Sequence, residues 1–229
     1  MLDKWAAIVD QKPGAHIHAV TLDWKKAFDR VPHDRLLSKL SYYVKAQIAQ
    51  YADDVTLWKQ IGSAEDAGEL HDDLDAVFAW CASNGMELNA AKCHVMDVIR
   101  AKNALHTPYI VGGAVLEYND TERILGVHVS NDLRWNKHTD IARGKAAKVL
   151  SFAARNLYGC TPRVKRLAYL TMVKPLMFYG TPAWHPSTQS NIQKFERVQN
   201  RVRSVRAWAA HFRKSEKRAA DCPPAAQPQ

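Results

Sequence analysis

The spacing of apolar residues predicts alternating strands and helices in the first half of the chain. IHAVTLDW is a short apolar run typical of a buried strand, and it ends at Asp23. QIAQY and VTLW flank an Ala-Asp-Asp turn and predict the two strands of a hairpin. Residues 64–83 are predicted to be helical, and Asn84-Gly85 is a natural stop. One apolar stripe indicates this helix: Ala67, Leu70, Leu74, Val77, Phe78 and Cys81.

Further elements complete this pattern. Pro32 suits a first helical turn, and helical spacing continues through Leu36, Leu37, Leu40, Tyr43 and Val44. KCHVMDVIR predicts another strand, PYIVGGAVLEY a hairpin turning at Gly112-Gly113, and ERILGVHVS an extended segment. The order gives an α+β fold, a βαββαβ-like sheet with helices on one face. In this topology Asp23 and the Asp53-Asp54 pair converge at one sheet edge.

After Asn136 the pattern becomes helical. Three helices are predicted, over about 138–157, 163–179 and 188–208, and Pro175 is expected to kink the second. The third has apolar residues on one face: Ile192, Phe195, Val198, Val202 and Val205. The chain thus divides into an N-terminal remnant (1–15), a sheet-containing core (16–135), a basic helical region (136–208) and a Pro/Ala/Gln-rich tail (209–229) expected to be disordered.

Charge distinguishes the two halves of the chain. Residues 1–140 carry 15 Lys and Arg against 20 Asp and Glu, whereas residues 141–218 carry 17 against two. This asymmetry is expected if residues 1–140 bind cations and residues 141–218 bind the phosphates of a nucleic acid. It favours nucleic-acid binding over the alternative of a basic surface that is only solvated. Apolar runs are too short to span a membrane, no signal peptide is visible, and the four cysteines show no pairing pattern. We expect an intracellular protein, nuclear or cytoplasmic, with no membrane partner.

Three converging carboxylates raise one another's pKa unless a cation lies among them. Hard oxygen ligands suit Mg²⁺ or Mn²⁺, and two such ions about 3.5–4 Å apart catalyse nucleotidyl transfer. The alternative is an ordinary turn, because Asp is common in turns, where it forms local hydrogen bonds. Spacing alone leaves both interpretations open.

Several stretches resemble the reverse transcriptases of non-LTR (LINE-type) retrotransposons, especially jockey- and CR1-like elements. TLDWKKAFDRVPHDRLLSKL resembles motif A, QYADDVTLW motif C and FAWCASNGMELNAAKC motif D. ILGVHVSNDLRWNKH resembles the primer-grip region, while VKPLMFYGTPAWHP and FERVQNRVRS resemble the thumb and the connection that follows it. The resemblance covers roughly residues 16–206. It implies a palm over 16–135 and a thumb with connection over 136–208.

The resemblance also implies roles for single residues. Asp23 and Asp53 correspond to the principal ligands of two Mg²⁺ or Mn²⁺ ions, and Asp54 to the supporting carboxylate. Lys92 corresponds to the lysine proposed to protonate the leaving pyrophosphate, the alternative being a surface lysine. The implied partners are an RNA template, a DNA primer and, in an active chain, a deoxynucleoside triphosphate.

Nucleotide and primer contacts are implied in the same way. The carbonyl of Trp24 would help hold the nucleotide-bound metal, and Phe28 matches the gate that excludes a ribose 2′-OH, the alternative being core packing. Leu125 and Gly126 match the primer grip, where glycine lets backbone approach backbone. Basic residues of the thumb are expected to bind nucleic acid: Arg143, Lys145, Lys148, Arg163, Lys165, Arg166, Arg197, Arg201 and Arg203.

The chain departs from the family pattern between motifs A and C. Only 30 residues separate Asp23 from Asp53, so the glycine-rich motif B, which lies against the incoming nucleotide, is missing near Lys45-Ala46. The fingers expected before motif A and an endonuclease domain are not seen either. Asp29 to Ala46 is still long enough for a crossover. We therefore expect a truncated, internally deleted reverse transcriptase that is inactive as this chain; the alternatives are a non-catalytic nucleic-acid-binding remnant and a retroelement relic without function.

Overall fold

The computed structural model describes residues 1–12, 14–24, 44–52, 54–100 and 106–204, with side chains to 202. The chain divides into two compact units, Met1–Arg134 and Trp135–Gln229. Phe28, Asp53, most of the helix predicted after Pro32, and the tail over 209–229 lie outside the described residues.

The first unit is built on a five-stranded sheet formed by β1 (His16–Leu22), β2 (Gln47–Tyr51), β3 (Asp54–Ile61), β4 (His94–Val98) and β7 (Glu117–Tyr118). Its strands lie in the order β2-β3-β1-β4-β7. Strand β1 lies in the middle and pairs antiparallel with β3 and β4, while β2 pairs antiparallel with β3 and β7 lies parallel to β4. The predicted strand before Asp23, the 47–61 hairpin and the strand after Cys93 are all confirmed.

One face of this sheet is covered by helix α2, Ala64–Ser83, whose predicted bounds are confirmed. The Ser63 side chain accepts a hydrogen bond from the backbone amide of Asp66, and the Asp66 carboxylate accepts one from the backbone amide of Ser63. This capping box fixes the first turn of the helix. The predicted stripe is buried except for Phe78, which is 39% exposed. The Phe78 ring lies close to Gly112, where a Cβ atom would come within 2.8 Å of it.

Helix α1, Leu2–Gln11, lies on the other face of the sheet and precedes the 16–135 core for which helices on one face were predicted. Trp5 is fully buried and meets Trp58 edge-on, with ring centroids 6.1 Å apart. Trp58 is paired with Ala19, whereas the next residue, Leu57, belongs to the core that α2 covers. Successive side chains of a strand point to opposite faces, and therefore α1 and α2 lie on opposite sides of the sheet.

Two hairpins follow in the first unit. Strands β5, Ile110–Val111, and β6, Ala114–Val115, turn at Gly112-Gly113 as predicted, and both glycines have positive φ. Strands β8, Thr121–Ile124, and β9, Val127–Ser130, are joined by Leu125-Gly126. The segment predicted as extended is therefore a hairpin. The mixed α+β class predicted from the sequence is confirmed.

The second unit is helical. Helix α3 spans Asn136–Asn156, α4 Pro162–Ala168, α5 Lys174–Phe178 and α6 Gln189–Ser204. A π-helical turn, Tyr169–Val173, interrupts the second predicted helix immediately before Lys174-Pro175. Proline has no N–H to donate, which accounts for an irregularity at this position. Among the described residues, none of the helices has the length and apolar character that crossing a membrane requires.

Candidate active site and nucleic-acid surface

Asp23 and Asp54 lie at the same end of two paired strands. Asp23 directly follows β1, and Asp54 is the first residue of β3. The last cross-strand pair is Leu22 with Val55, so the antiparallel register continued by one residue sets Asp23 opposite Asp54. This juxtaposition is the one that the strand order predicted. Asp53 lies outside the described residues.

The segment after α2 is tied to the end of β1 and brings Lys92 to the carboxylate. The amide of Asn89 donates to the carbonyl of Asp23 at 2.8 Å, and the amide of Lys92 donates to the carbonyl of Asn89 at 2.8 Å. Lys92 Nζ then lies 3.5 Å from Asp23 Oδ2. Both side chains are partly or largely exposed, so this pair contributes little to stability and the lysine is free to change partners.

Behind the carboxylate, buried groups hold the backbone of Trp24 in place. The indole N–H of Trp24 donates a hydrogen bond to Cys81 Sγ at 3.2 Å. The backbone of Trp24 also forms an isolated antiparallel β-bridge with Leu88. Burial raises the pKa of the Cys81 and Cys93 thiols, so both stay protonated and act as packing groups rather than nucleophiles. The main chain that would present the Trp24 carbonyl is therefore anchored on its core side.

The donor set at this strand end fits a divalent cation. Asp23 and Asp54 offer carboxylate oxygens, the hard ligands that Mg²⁺ and Mn²⁺ prefer, and both residues are accessible to solvent. Within the described part of the chain, no group of three or more His, Cys, Asp or Glu is placed to hold a metal. The third expected carboxylate, Asp53, is outside that part.

The backbone that leads into β2 is held by a buried carboxylate. Asp73 of α2 is buried and accepts the amides of Lys45, at 3.0 and 3.1 Å, and of Ala46, at 2.7 Å. Sequence reasoning missed Asp73, although it stands inside the buried stripe of α2, next to Leu74. An acid at such a position indicates a buried hydrogen-bond acceptor.

The expected primer-grip residues form the tight turn between β8 and β9. Leu125 has φ 47° and Gly126 φ 82°. Glycine adopts this left-handed conformation freely, but for leucine it is strained by about 1–2 kcal/mol. The Leu125 side chain is nevertheless exposed at the tip.

The second unit presents most of its cations to solvent. Residues 135–204 contain 13 Lys and Arg against two acids, Asp140 and Glu196. Lys194 Nζ lies 2.9 Å from Asp140 and offsets one of these acids. The side chain of Arg203 lies outside the described residues. Of the expected nucleic-acid-binding residues, the exposed ones are Arg143, Lys145, Lys148, Arg163, Arg166, Arg197 and Arg201.

Lys165 is the exception and has to be removed from this set. It is 3% exposed, and its ammonium donates to the carbonyl of Tyr158 at 2.8 Å. A buried cation held by a backbone carbonyl is unavailable to a phosphate. The signal was visible in the sequence, because Lys165 precedes the buried pair Ala168-Tyr169 at helical spacing.

No protein-family model matches the chain. Curated proteins of Drosophila melanogaster do match it. The RNA-directed DNA polymerase from mobile element jockey is 26% identical over 161 residues, which are 66% of this chain and 17% of the relative. The probable RNA-directed DNA polymerase from transposon BS is 24% identical over 163 residues, 69% of this chain and 18% of the relative.

A 115 kDa protein in the type-1 retrotransposable element R1DM is 29% identical over 165 residues, 68% of this chain and 15% of the relative. The chain thus spans less than a fifth of the length of these relatives. The resemblance that the motifs carry is confirmed by these matches. By sequence, the chain is therefore similar to part of the RNA-directed DNA polymerases that these retroelements encode.

Proposed function

We propose that this chain is a palm-and-thumb fragment that retains a divalent-cation site and a nucleic-acid surface but does not extend a primer. The observation that carries the proposal is the grouping at the end of β1. Asp23 lies opposite Asp54 in the continued register, and Lys92 Nζ lies 3.5 Å from the Asp23 carboxylate. The two carboxylates and the neighbouring ammonium support the proposal, because nucleotidyl transfer uses groups of these kinds close together.

In this proposal each residue has a separate task. Asp23, Asp53 and Asp54 would hold two divalent cations, with the carbonyl of Trp24 as a further oxygen ligand for the nucleotide-bound one. Such cations would supply activation of a primer hydroxyl and stabilisation of a leaving pyrophosphate. Lys92 Nζ lies 3.5 Å from the Asp23 carboxylate and would act as the proton donor to a leaving oxygen.

Catalysis is absent in this proposal because positioning is absent. Motif B supplies the surface against which the incoming nucleotide and the template base lie, and only 30 residues separate Asp23 from Asp53. Holding reactants in an attack geometry supplies about 7–11 kcal/mol of the lowering of such barriers. Carboxylates without that surface can bind a cation and still leave the reaction too slow to detect.

Two measurements on the purified full chain test the proposal. Titration with Mn²⁺ followed by electron paramagnetic resonance should show binding that Asp23→Asn weakens by at least about tenfold, whereas Asp72→Asn on the exposed side of α2 serves as the matched control. Primer extension on an RNA template should give no product with Mg²⁺ or Mn²⁺. Template-dependent product that Asp53→Asn abolishes would overturn the claim of inactivity, and Mn²⁺ binding unaffected by Asp23→Asn would overturn the cation site.

The second part of the proposal is binding of a primer–template duplex by the second unit. It is supported by the exposure of nearly all its cations and by the scarcity of acids among residues 135–204. Contacts to phosphates alone bind without sequence preference, since a phosphate backbone presents the same charges at every step.

A further inference from the structure

The solvent-facing side of α3 combines cations with an aromatic ring. Lys145, Lys148, Phe152 and Arg155 succeed one another at intervals of three or four residues, so they form one stripe on the helix surface. All four are exposed, and Phe152 is 54% exposed. The core side of the same helix is formed by other residues: Ala142, Ala146, Leu150 and Ala153.

A second ring lies directly beyond the end of this helix. Tyr158 is 82% exposed, although its backbone is fixed because its carbonyl accepts the buried ammonium of Lys165. Arg155 precedes Tyr158 by three residues, and Arg163 and Arg166 follow on α4. Lys165 is buried and cannot contact a phosphate, but its hydrogen bond fixes the loop in which Tyr158 is exposed.

We propose that Phe152 and Tyr158 stack on unpaired bases while Lys148 and Arg155 bind the neighbouring phosphates. The surface is then a site for a single-stranded stretch of nucleic acid, in addition to the duplex binding proposed above, on which this inference rests. Every base has a π-face, and stacking on an aromatic side chain contributes about 1–3 kcal/mol per base whatever the sequence.

Charge favours a nucleic acid over a protein as the occupant. Phe152 has Lys148 four residues before it and Arg155 three residues after it, so anything that covers the ring must also meet two positive charges. A second copy of the same surface would bring like charges together. A phosphate chain supplies opposite charges at intervals and bases between them, which matches the alternation of cations and rings.

The test is fluorescence anisotropy with two labelled ligands, a 12-nucleotide thymidine strand and a 12-base-pair duplex. The double variant F152L/Y158L keeps the charge and the apolar character of the parent. It should weaken single-strand binding at least about fivefold per ring and leave duplex binding unchanged. F152W should retain single-strand affinity, and Y179L, which removes an exposed ring outside the stripe, should bind both ligands as the parent does.

Salt separates the two contributions. The dependence of log K on log salt should keep its slope in F152L/Y158L, because no charge is lost. In K148A/R155A the slope for the single strand should flatten by up to about 1.4, at about 0.7 per phosphate. Circular dichroism checks that each variant keeps the helical content of the parent.

Three results contradict the inference. Equal losses for both ligands, or none, in F152L/Y158L would show that the rings do not stack on bases. A parent that binds duplex but not single strand would overturn this inference alone. A parent that binds neither ligand would overturn the proposed duplex binding and this inference together.

Discussion

At the scale of single residues, burial decides which cations of the second unit can reach a phosphate. Arg163 and Arg166 project from α4 into solvent, whereas Lys165 between them turns inward and donates to the carbonyl of Tyr158. A hydrogen bond from a charged donor contributes about 1.5–3 kcal/mol, more than a neutral one. Neighbours in sequence therefore have different roles, two at the surface and one in the structure.

Lys165→Met should destabilise the chain by about 1.5–3 kcal/mol, because the apolar stem is kept while the carbonyl of Tyr158 loses its donor. Thermal unfolding followed by circular dichroism measures the loss, and hydrogen exchange should show the loop over 157–160 opening first. Arg166→Ala is the control and should change stability by no more than about 0.5 kcal/mol. Equal stability of the parent and Lys165→Met would show that the buried bond is not formed in solution.

Asp97 is a buried acid, and its charged form is disfavoured by its surroundings. It is buried in β4, with His16 Nδ1 3.5 Å from its carboxylate. Burial raises the pKa of this carboxyl above its ordinary value, and the charges of His16 and His106 only partly oppose the shift. A carboxyl with a higher pKa in the folded state binds its proton more tightly there. The unfolding free energy therefore falls as the pH rises through the folded pKa.

Asp97→Asn should remove this dependence. The variant should be as stable as the parent below the ordinary aspartate range and more stable at pH 7, since the parent then buries a charge that asparagine does not carry. Urea unfolding between pH 4 and 7 measures the difference, which should grow with pH. Asp72→Asn, an exposed change, should show no such trend. A difference that shrinks toward neutral pH would contradict the assigned direction.

At the scale of elements, the best-predicted parts are those whose signals are local. Helix α2 has its predicted bounds because its apolar stripe and the stop at Asn84-Gly85 are both visible within one short stretch of the sequence. Helix α1 was missed because only Trp5 and Val9 are buried, and Trp5 is buried by Trp58, far along the chain. The turn of β8–β9 was missed because leucine rarely has positive φ.

The candidate site divides in the same way. Convergence of Asp23 with Asp54 followed from the strand order, since antiparallel register leaves little freedom. Lys92 approaches Asp23 because the backbone amide of Asn89 donates a hydrogen bond to the carbonyl of Asp23. No side-chain pattern in the sequence predicts such a backbone hydrogen bond. Family resemblance pointed to Lys92, and the physics that brings it to Asp23 is visible only in the fold.

The link between motifs A and C depends on one buried acceptor. Asp73→Ala leaves the amides of Lys45 and Ala46 without their partner, and an unsatisfied buried donor costs about 1–3 kcal/mol. We expect a loss of stability in this range and faster hydrogen exchange in β2. Asp72→Ala, the adjacent exposed position, is the control. Unchanged exchange at the start of β2 in Asp73→Ala would show that the link is held by other contacts.

Leu125 combines strain with exposure, a combination that suggests a functional role. Leu125→Asn should stabilise the hairpin by about 1 kcal/mol, because asparagine tolerates the left-handed conformation better. If the exposed leucine contacts the primer, the same variant should bind primer–template more weakly. Thermal unfolding and anisotropy measure the two effects. Leu125→Asn binding as tightly as the parent would remove Leu125 from the primer contacts.

At the scale of the whole molecule, charge is divided between the two halves of the chain. Residues 1–140 carry 20 acids against 15 cations, whereas residues 141–218 carry 17 cations against two acids. Cation binding and phosphate binding therefore depend on different units. They should respond to separate substitutions, because each depends on residues of its own unit.

The parent chain should bind primer–template duplex with log K falling linearly against log salt, at about 0.9 per contacted phosphate. Five contacts give a slope near −4 to −5 by the same rule. R163A/R166A should weaken binding and flatten the slope by up to about 1.8, since both arginines are exposed. Asp54→Asn should bind at least as tightly as the parent, because it removes one negative charge from the chain. If R163A/R166A keeps the parental slope at every salt concentration, α4 is only a solvated surface and the phosphate contacts lie elsewhere in the second unit.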